Sequence, residues 1–211
     1  MATLFPISLD LNGKPVVVIG GGEVALRKVE LLLGAGAAVT VVSPEVCPQL
    51  AALGGIELRQ RPFRPDDLGG CRLAIAATDQ PDVNLEVCRE ARERGVLVNV
   101  VDQPELCDFH VPASIRRGRL CVAISTGGAS PALAQRLRRE LEAQFPSDYA
   151  QFASLLGEMR REIIARVRNE TARRDLLVQL ASDDLFRLLK ASGEAAARAE
   201  MLKRIDASQP R

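Results

Sequence analysis

An apolar run at 16–19 leads without interruption into Gly20, Gly21 and Gly22. Residues 23–34 follow with apolar side chains at helical spacing. Strand, glycine turn and helix in that order constrain the fold more than any other stretch of the chain. Gly20, Gly22 and Ala25 occupy the three small-residue positions of the pattern G-x-G-x-x-G/A. The first allows a tight turn, the second lets a pyrophosphate approach the backbone, and the third lets helix and strand pack closely. N–H groups at the start of the helix then face the phosphates. Glycines alone could mark no more than a tight turn; set between strand and helix, they point to a dinucleotide site.

The surrounding pattern supports this. Apolar, mostly β-branched runs recur at 39–42, 56–58, 73–76 and 96–100, bounded by Gly, Pro or polar residues. Such runs suit parallel strands buried on both faces. At 82–94, Val83, Val87 and Ala91 recur every four residues, as on a helix. Strands alternating with helices predict an α/β domain, a doubly wound parallel sheet over 1–113. The pattern then changes. Residues 120–125 form another strand candidate, Thr126–Gly128 a turn, and Ser130 an N-cap before Pro131 at a helix start. That helix is expected to reach about Gln144 and stop before Pro146. From 148 the chain reads as all-helical, with one apolar face through Leu155, Leu156, Met159, Ile163, Ile164 and Val167. A second apolar set is Leu176, Leu177, Leu180, Leu185, Leu188 and Leu189. After about 194 the helix propensity is good but the apolar face weak, and the last few residues are expected to fray. The boundaries expected are 1–113, 114–146 and 147–211.

Composition excludes several classes. With 211 residues and a net charge of +1, the chain lacks the basic excess of a nucleic-acid binder. Aromatics are 3% and Trp is absent, so base-stacking platforms are not expected. No apolar run has the length of a membrane span, and the first residues lack the order of a signal peptide. Cys47, Cys71, Cys88, Cys107 and Cys121 are odd in number and widely spaced. They suggest neither a disulfide framework nor a structural zinc site, and imply a reducing, cytoplasmic setting. His110 is the only histidine, which excludes any mechanism needing two imidazoles.

Three loops at carboxyl ends of predicted strands carry candidate chemistry. Ser43 stands where an Asp or Glu usually holds the cofactor ribose, and Glu45 follows two residues later. Glu45 could reach the ribose or simply face solvent, while Ser43 with Arg27 nearby would tolerate an extra phosphate; NAD and NADP both stay open here. Ala77 and Thr78 leave space and offer a hydroxyl, although Thr78-Asp79 also reads as a helix-start signal. Asp102 lies just past the strand at 96–100, with Asn99 on it. An acid there could take a proton as a hydride leaves; the same Asp-x-Pro sequence could also merely shape a turn.

In order, FPISLDLNGKPVVVIGGGEVALRKVELLLGAGA, AIAATDQPDVN, VNVVDQPELCDFHVPA and CVAISTGGASPALAQRLRRELE resemble the siroheme synthase family. The likeness is to its precorrin-2 dehydrogenase/sirohydrochlorin ferrochelatase module and covers about residues 2–145. The run Ser125–Pro131 is especially specific, because generic dinucleotide binding does not require it. The resemblance implies a Rossmann-type domain, a small α+β dimerisation segment and an all-helical C-terminal domain. It implies NAD-dependent oxidation of precorrin-2 to sirohydrochlorin, followed by insertion of ferrous iron, here a substrate, to give siroheme. Asp102 matches the family's aspartate, proposed as the base in both reactions. Glu23 and Val24 match one NAD contact, and Pro44–Glu45 a second. Asn99, Ser125, Thr126, Gly127, Gly128 and Ser130 are the expected substrate contacts, and a homodimer is the expected assembly. A dehydrogenase without chelatase activity, or a regulatory module that senses NAD without turnover, remain alternatives.

Residue types suggest two further groups. Arg116, Arg117, Arg119, Arg136, Arg138 and Arg139 could clamp substrate carboxylates, while the last three could equally pair with Glu140 and Glu142 on a solvated helix face. Cys107, His110 and Cys121 could be drawn as an iron site, but no spacing rule supports it, and no resident metal is expected.

Overall fold

The computed structural model describes residues 4–208. Strands β1 (Pro15–Ile19), β2 (Ala38–Val42) and β3 (Ile56–Arg59) alternate with helices α1 (Glu23–Gly34) and α2 (Pro48–Ala51). After a 3-10 turn at Pro65–Leu68 come β4 (Leu73–Ala76), α3 (Pro81–Glu93) and β5 (Leu97–Val100). The five strands are parallel in the order β3-β2-β1-β4-β5. Connections leave β1 in one direction and β4 in the other, so the order reverses between them. This is the doubly wound α/β sheet expected from the alternation.

The alternating side chains of β1 show why the strands read as continuous apolar runs. Val16 and Val18 pack on one face with Ala25, Val29 and Leu32 of α1, while Val17 and Ile19 pack on the other with Val87, Cys88 and Ala91 of α3. Each fully buried Val or Ile contributes about 1.5–3 kcal/mol, and both faces must be apolar to collect it. The outer edge of β5 is closed by the returning chain: Asp108 donates its N–H to Val98 O at 2.8 Å, and its carboxylate accepts the Val98 N–H at 3.1 Å. A side chain thus replaces a sixth strand and protects the edge.

By contacts the chain divides into two compact units, one ending at Val111 and the other beginning at Pro112. The second opens with an antiparallel hairpin, β6 (Ala113–Arg117) and β7 (Leu120–Ile124), which packs with α4 (Pro131–Glu142) and α5 (Asp148–Arg166). β6 escaped the sequence reading because only Ile115 is buried and its ASIRR sequence carries no apolar run. Ser130 caps α4, its Oγ accepting the Leu133 N–H at 3.2 Å. α4 stops two residues earlier than expected.

Helices α5, α6 (Glu170–Leu180) and α7 (Asp183–Ala207) share a core of Leu155, Met159, Ile163, Leu176, Leu180, Leu185 and Leu189. Ile164, expected on the same face, is exposed, since Ile163 already fills the inward position. The weak apolar face expected after 194 is corrected: Ala197, Met201 and Ile205 are fully buried at four-residue spacing. Small Ala197 made that stripe hard to see. The predicted fraying falls chiefly on 209–211, outside the described residues. No helix among the described residues is long and apolar enough to cross a membrane.

Candidate active site

The carboxyl ends of the parallel strands open into one cavity of about 1030 Å³ within the first unit. Its lining runs from Ser43, Pro44, Pro62 and Phe63 on the β2/β3 side, across Gly20–Gly22 after β1, to Ala77, Thr78 and Asp102 after β4 and β5. With neighbouring strands about 4.8 Å apart, β2 to β5 spans roughly 14 Å. That is room for an extended two-part ligand, with the glycine turn at its middle.

Each glycine has its own reason. Gly20 has φ +124°, and a Cβ there would collide with the Ala77 carbonyl. Gly21, which the sequence pattern leaves free, is equally confined: a Cβ would strike the Glu45 carbonyl, and the Gly21 carbonyl accepts the Cys47 N–H at 2.7 Å. Close contact between two loops imposes this requirement, which no local pattern reveals. Gly22 differs, for nothing lies within 4 Å of a Cβ built on it. It is the N-cap of α1 and supplies no capping side chain, so the first N–H groups of the helix remain for a ligand.

Expected cofactor contacts Gly20, Gly22, Glu23, Val24, Ser43, Pro44, Glu45, Ala77 and Thr78 all line the cavity. Ser43 is buried and donates its hydroxyl to the Glu45 carbonyl at 2.6 Å. It therefore shapes the loop that presents the exposed Glu45. Thr78 borders the cavity while its hydroxyl donates to Asn84 Oδ1 at 2.8 Å, and Gln80 is the N-cap of α3. Arg27 is exposed on α1 and lies outside the lining.

Asp102 lies at the other end. Its φ is +61°, the only positive value at a non-glycine residue among the described residues. Asp and Asn are the side chains that best tolerate this region. Val101 N–H donates to Ala76 O at 2.9 Å and Gln103 N–H to Val100 O at 3.4 Å, so backbone bonds hold the turn while the carboxylate stays exposed. Lys28, half-buried on α1, has its ammonium pKa lowered by burial and by Arg27, against opposite pulls from Cys107 and Asp102.

Asn99, expected at the substrate, is buried, and its amide donates to Phe109 O at 2.9 Å and to Cys107 Sγ at 3.4 Å. It pins the returning chain beside β5. Cys107 works alongside it, its sulfur accepting the Val100 N–H at 3.2 Å. Burial pushes the thiol pKa up, opposed by that N–H. Cys121 belongs to the second unit.

In that unit the Ser125–Ser130 turn is held internally. Ser125 Oγ accepts the Gly127 N–H at 3.1 Å, Thr126 Oγ1 accepts the Ser130 N–H at 3.0 Å, and Gly127 and Gly128 both have positive φ. Arg136 pairs with Glu140 and Arg138 with Glu142, the solvated-face alternative for those two. Arg117 donates to Phe145 O at 2.8 Å. Arg116, Arg119 and Arg139 are exposed. Sequence reasoning missed Pro62 and Phe63, although their place after the third strand, at the ligand-bearing edge, could have marked them.

Fold and cavity define a dinucleotide-binding protein, with Glu45 at one end of the site and Asp102 at the other. Residues 7–113 match the family described as "Putative NAD(P)-binding", and 117–144 match "Sirohaem biosynthesis protein central". The chain is 44% identical over 210 residues to a siroheme synthase of Methylococcus capsulatus, covering 92% of this chain and 44% of that protein. It is 43% identical over 205 residues to a siroheme synthase of Thioalkalivibrio sulfidiphilus, covering 96% and 42%. It thus spans less than half the length of these relatives. The solved structure of SirC, a precorrin-2 dehydrogenase, superposes with a TM-score of 0.81 at 31% identity, covering 97% of this chain and 100% of that one. The chain belongs to the precorrin-2 dehydrogenase family and matches part of the longer siroheme synthases in sequence.

Proposed function

We propose that the protein oxidises precorrin-2 to sirohydrochlorin, with NAD as hydride acceptor and Asp102 as proton acceptor. The observation that carries this reading is the single cavity with a glycine turn at its middle and a carboxylate at one end. When bound, NAD supplies the site that takes the hydride. Gly22 and the first N–H groups of α1 hold its pyrophosphate, and the small side chain of Ala77 leaves room beside them. Glu45, presented by the Ser43 hydrogen bond, takes the ribose hydroxyls. Asp102 stands at the opposite end and accepts the proton released with the hydride.

The charge of the lining favours NAD over NADP. Glu23, Glu45, Asp79 and Asp102 are its acidic residues, and neither Lys nor Arg lines the cavity among the described residues. A ribose phosphate would meet acids without a partner, a costly placement. Ser125, Thr126, Gly127, Gly128 and Ser130 remain the proposed tetrapyrrole contacts on the strength of their motif. The siroheme synthases named above support a second step in which ferrous iron enters sirohydrochlorin and two pyrrole protons leave. A homodimer is proposed as the working assembly.

An anaerobic assay tests both steps. Precorrin-2 and NAD should give NADH and sirohydrochlorin in equal amounts, and added ferrous iron should then give siroheme. Production without siroheme would leave a dehydrogenase alone; NAD binding with no turnover would support the regulatory alternative.

A further inference from the structure

Beside the cavity sits a buried carboxylate that the chemistry above does not use. Asp67, in the 3-10 turn after β3, is 5% exposed. Its Oδ1 accepts from Arg59 Nη1 at 2.8 Å and Arg61 Nη2 at 2.6 Å; its Oδ2 accepts from Arg61 Nη1 at 2.8 Å and the Arg64 N–H at 2.9 Å. Arg61 Nη1 also donates to the Pro62 carbonyl at 3.0 Å. The residues on either side of Phe63 are therefore both tied to the Asp67–Arg61 pair. Phe63 and Pro62 form the β3 end of the cavity wall. Arg59 extends the connection, since its carbonyl accepts the Ser43 N–H at 3.2 Å.

We infer that Asp67 is a positioning residue that sets Phe63 as the wall for the adenosine half of the cofactor. The inference rests on the NAD reading, which puts the pyrophosphate at the glycine turn and the proton acceptor at the β5 end. The adenosine half is then left to the β2/β3 end. Phe63 is half-buried against the core cluster of Val17 and Ile19 and also borders the cavity, so its ring is a fixed surface on which a base can stack. A fork-shaped guanidinium on a carboxylate fixes its orientation as a flexible contact would not. A carboxylate that merely fastened the fold would leave cofactor affinity unchanged.

The test separates affinity from turnover. KM for NAD, kcat, and the inhibition constant of ADP-ribose are measured for the wild-type protein, Asp67→Asn, Arg61→Gln, Phe63→Ala and the Asp67→Asn/Phe63→Ala double variant. Loss of the stacking face should raise KM for NAD and the ADP-ribose constant about tenfold in each single variant. At saturating NAD, kcat should hold. The double variant should be no worse than Phe63→Ala, because both changes remove one wall. Should Asp67→Asn not fold, Arg61→Gln and its double with Phe63→Ala carry the same expectation. Unchanged ADP-ribose binding, a fall in kcat at constant KM, or additive losses would overturn the positioning role. Wild-type protein that binds neither NAD nor ADP-ribose is a different result, and removes the cofactor reading itself.

Discussion

Asp102→Asn separates chemistry from turn geometry more sharply than any other change. The turn at Asp102 demands φ +61°, which Asn adopts almost as readily as Asp. The bonds that hold it, from Val101 N–H and Gln103 N–H, are backbone bonds. The carboxylate is exposed and accepts no hydrogen bond from another described residue, so exchanging it leaves no buried partner unsatisfied. Stability should stay within about 0.5 kcal/mol of wild type, as for most surface changes. Loss of the proton acceptor should lower the rate by about 10²–10⁴-fold, or roughly 3–5 kcal/mol of barrier. Asp102→Ala adds a control, because a left-handed alanine costs about 1 kcal/mol of stability as well. The assay is anaerobic NADH formation from precorrin-2 at saturating NAD, run beside a cofactor titration. An Asn variant with near-wild-type turnover would refute the base assignment and return Asp102 to a turn residue. If the same carboxylate accepts pyrrole protons, iron insertion into supplied sirohydrochlorin should fall in parallel.

The glycines should respond in opposite ways. Gly22→Asp has space, so it should fold yet lose NAD binding in a calorimetric titration, because its charge meets the pyrophosphate. Gly20→Ala should destabilise the fold by about 1–3 kcal/mol from backbone strain alone, with the Ala77 collision added; a denaturant midpoint matching wild type would contradict this. Burial pushes the Asp67 carboxyl up, but hydrogen bonds from Arg61, the Arg64 N–H and Arg59 prevail and lower it from 3.8 to about 2. A carboxyl lowered on folding stabilises the protein above its unfolded pKa and loses that contribution as pH falls through the folded one. Between about pH 4 and about pH 2 the wild type should lose on the order of 2 kcal/mol that Asp67→Asn lacks, measured by denaturation across that range. Sedimentation should show a dimer at micromolar concentration; an active monomer would remove the proposed assembly.

What was legible in the sequence follows from how locally each feature is determined. β1, its glycines and α1 were readable because a strand buried on both faces, a tight turn and a packed helix each leave a periodic mark within twenty residues. The same holds for Ser130, whose side chain and the N–H it caps lie three residues apart. Features made by distant contacts left no such mark. Gly21 is confined by the Glu45 carbonyl and the Asn99 amide is held by the Phe109 carbonyl, and neither contact shows in the local pattern. β6 was invisible because a hairpin strand with one buried side chain needs no apolar run.

The same distinction explains how the site is built. Its chemistry stands on loops that leave neighbouring strands at the point where the strand order reverses, and a parallel sheet brings their ends together whatever their separation in sequence. Gly20 and Ala77 meet there because β1 and β4 are hydrogen-bonded neighbours with Ile19 paired to Ala76. A side chain at Gly20 would strike the Ala77 carbonyl and push the two loops apart. Asp102 is placed by the next strand, β5, whose free edge is held by Asp108, Asn99 and Cys107. These three side chains do for β5 what a sixth strand would do elsewhere, and they leave Asp102 as the exposed corner of an otherwise fixed turn. The buried contacts set where the carboxylate stands, and the carboxylate itself is left exposed.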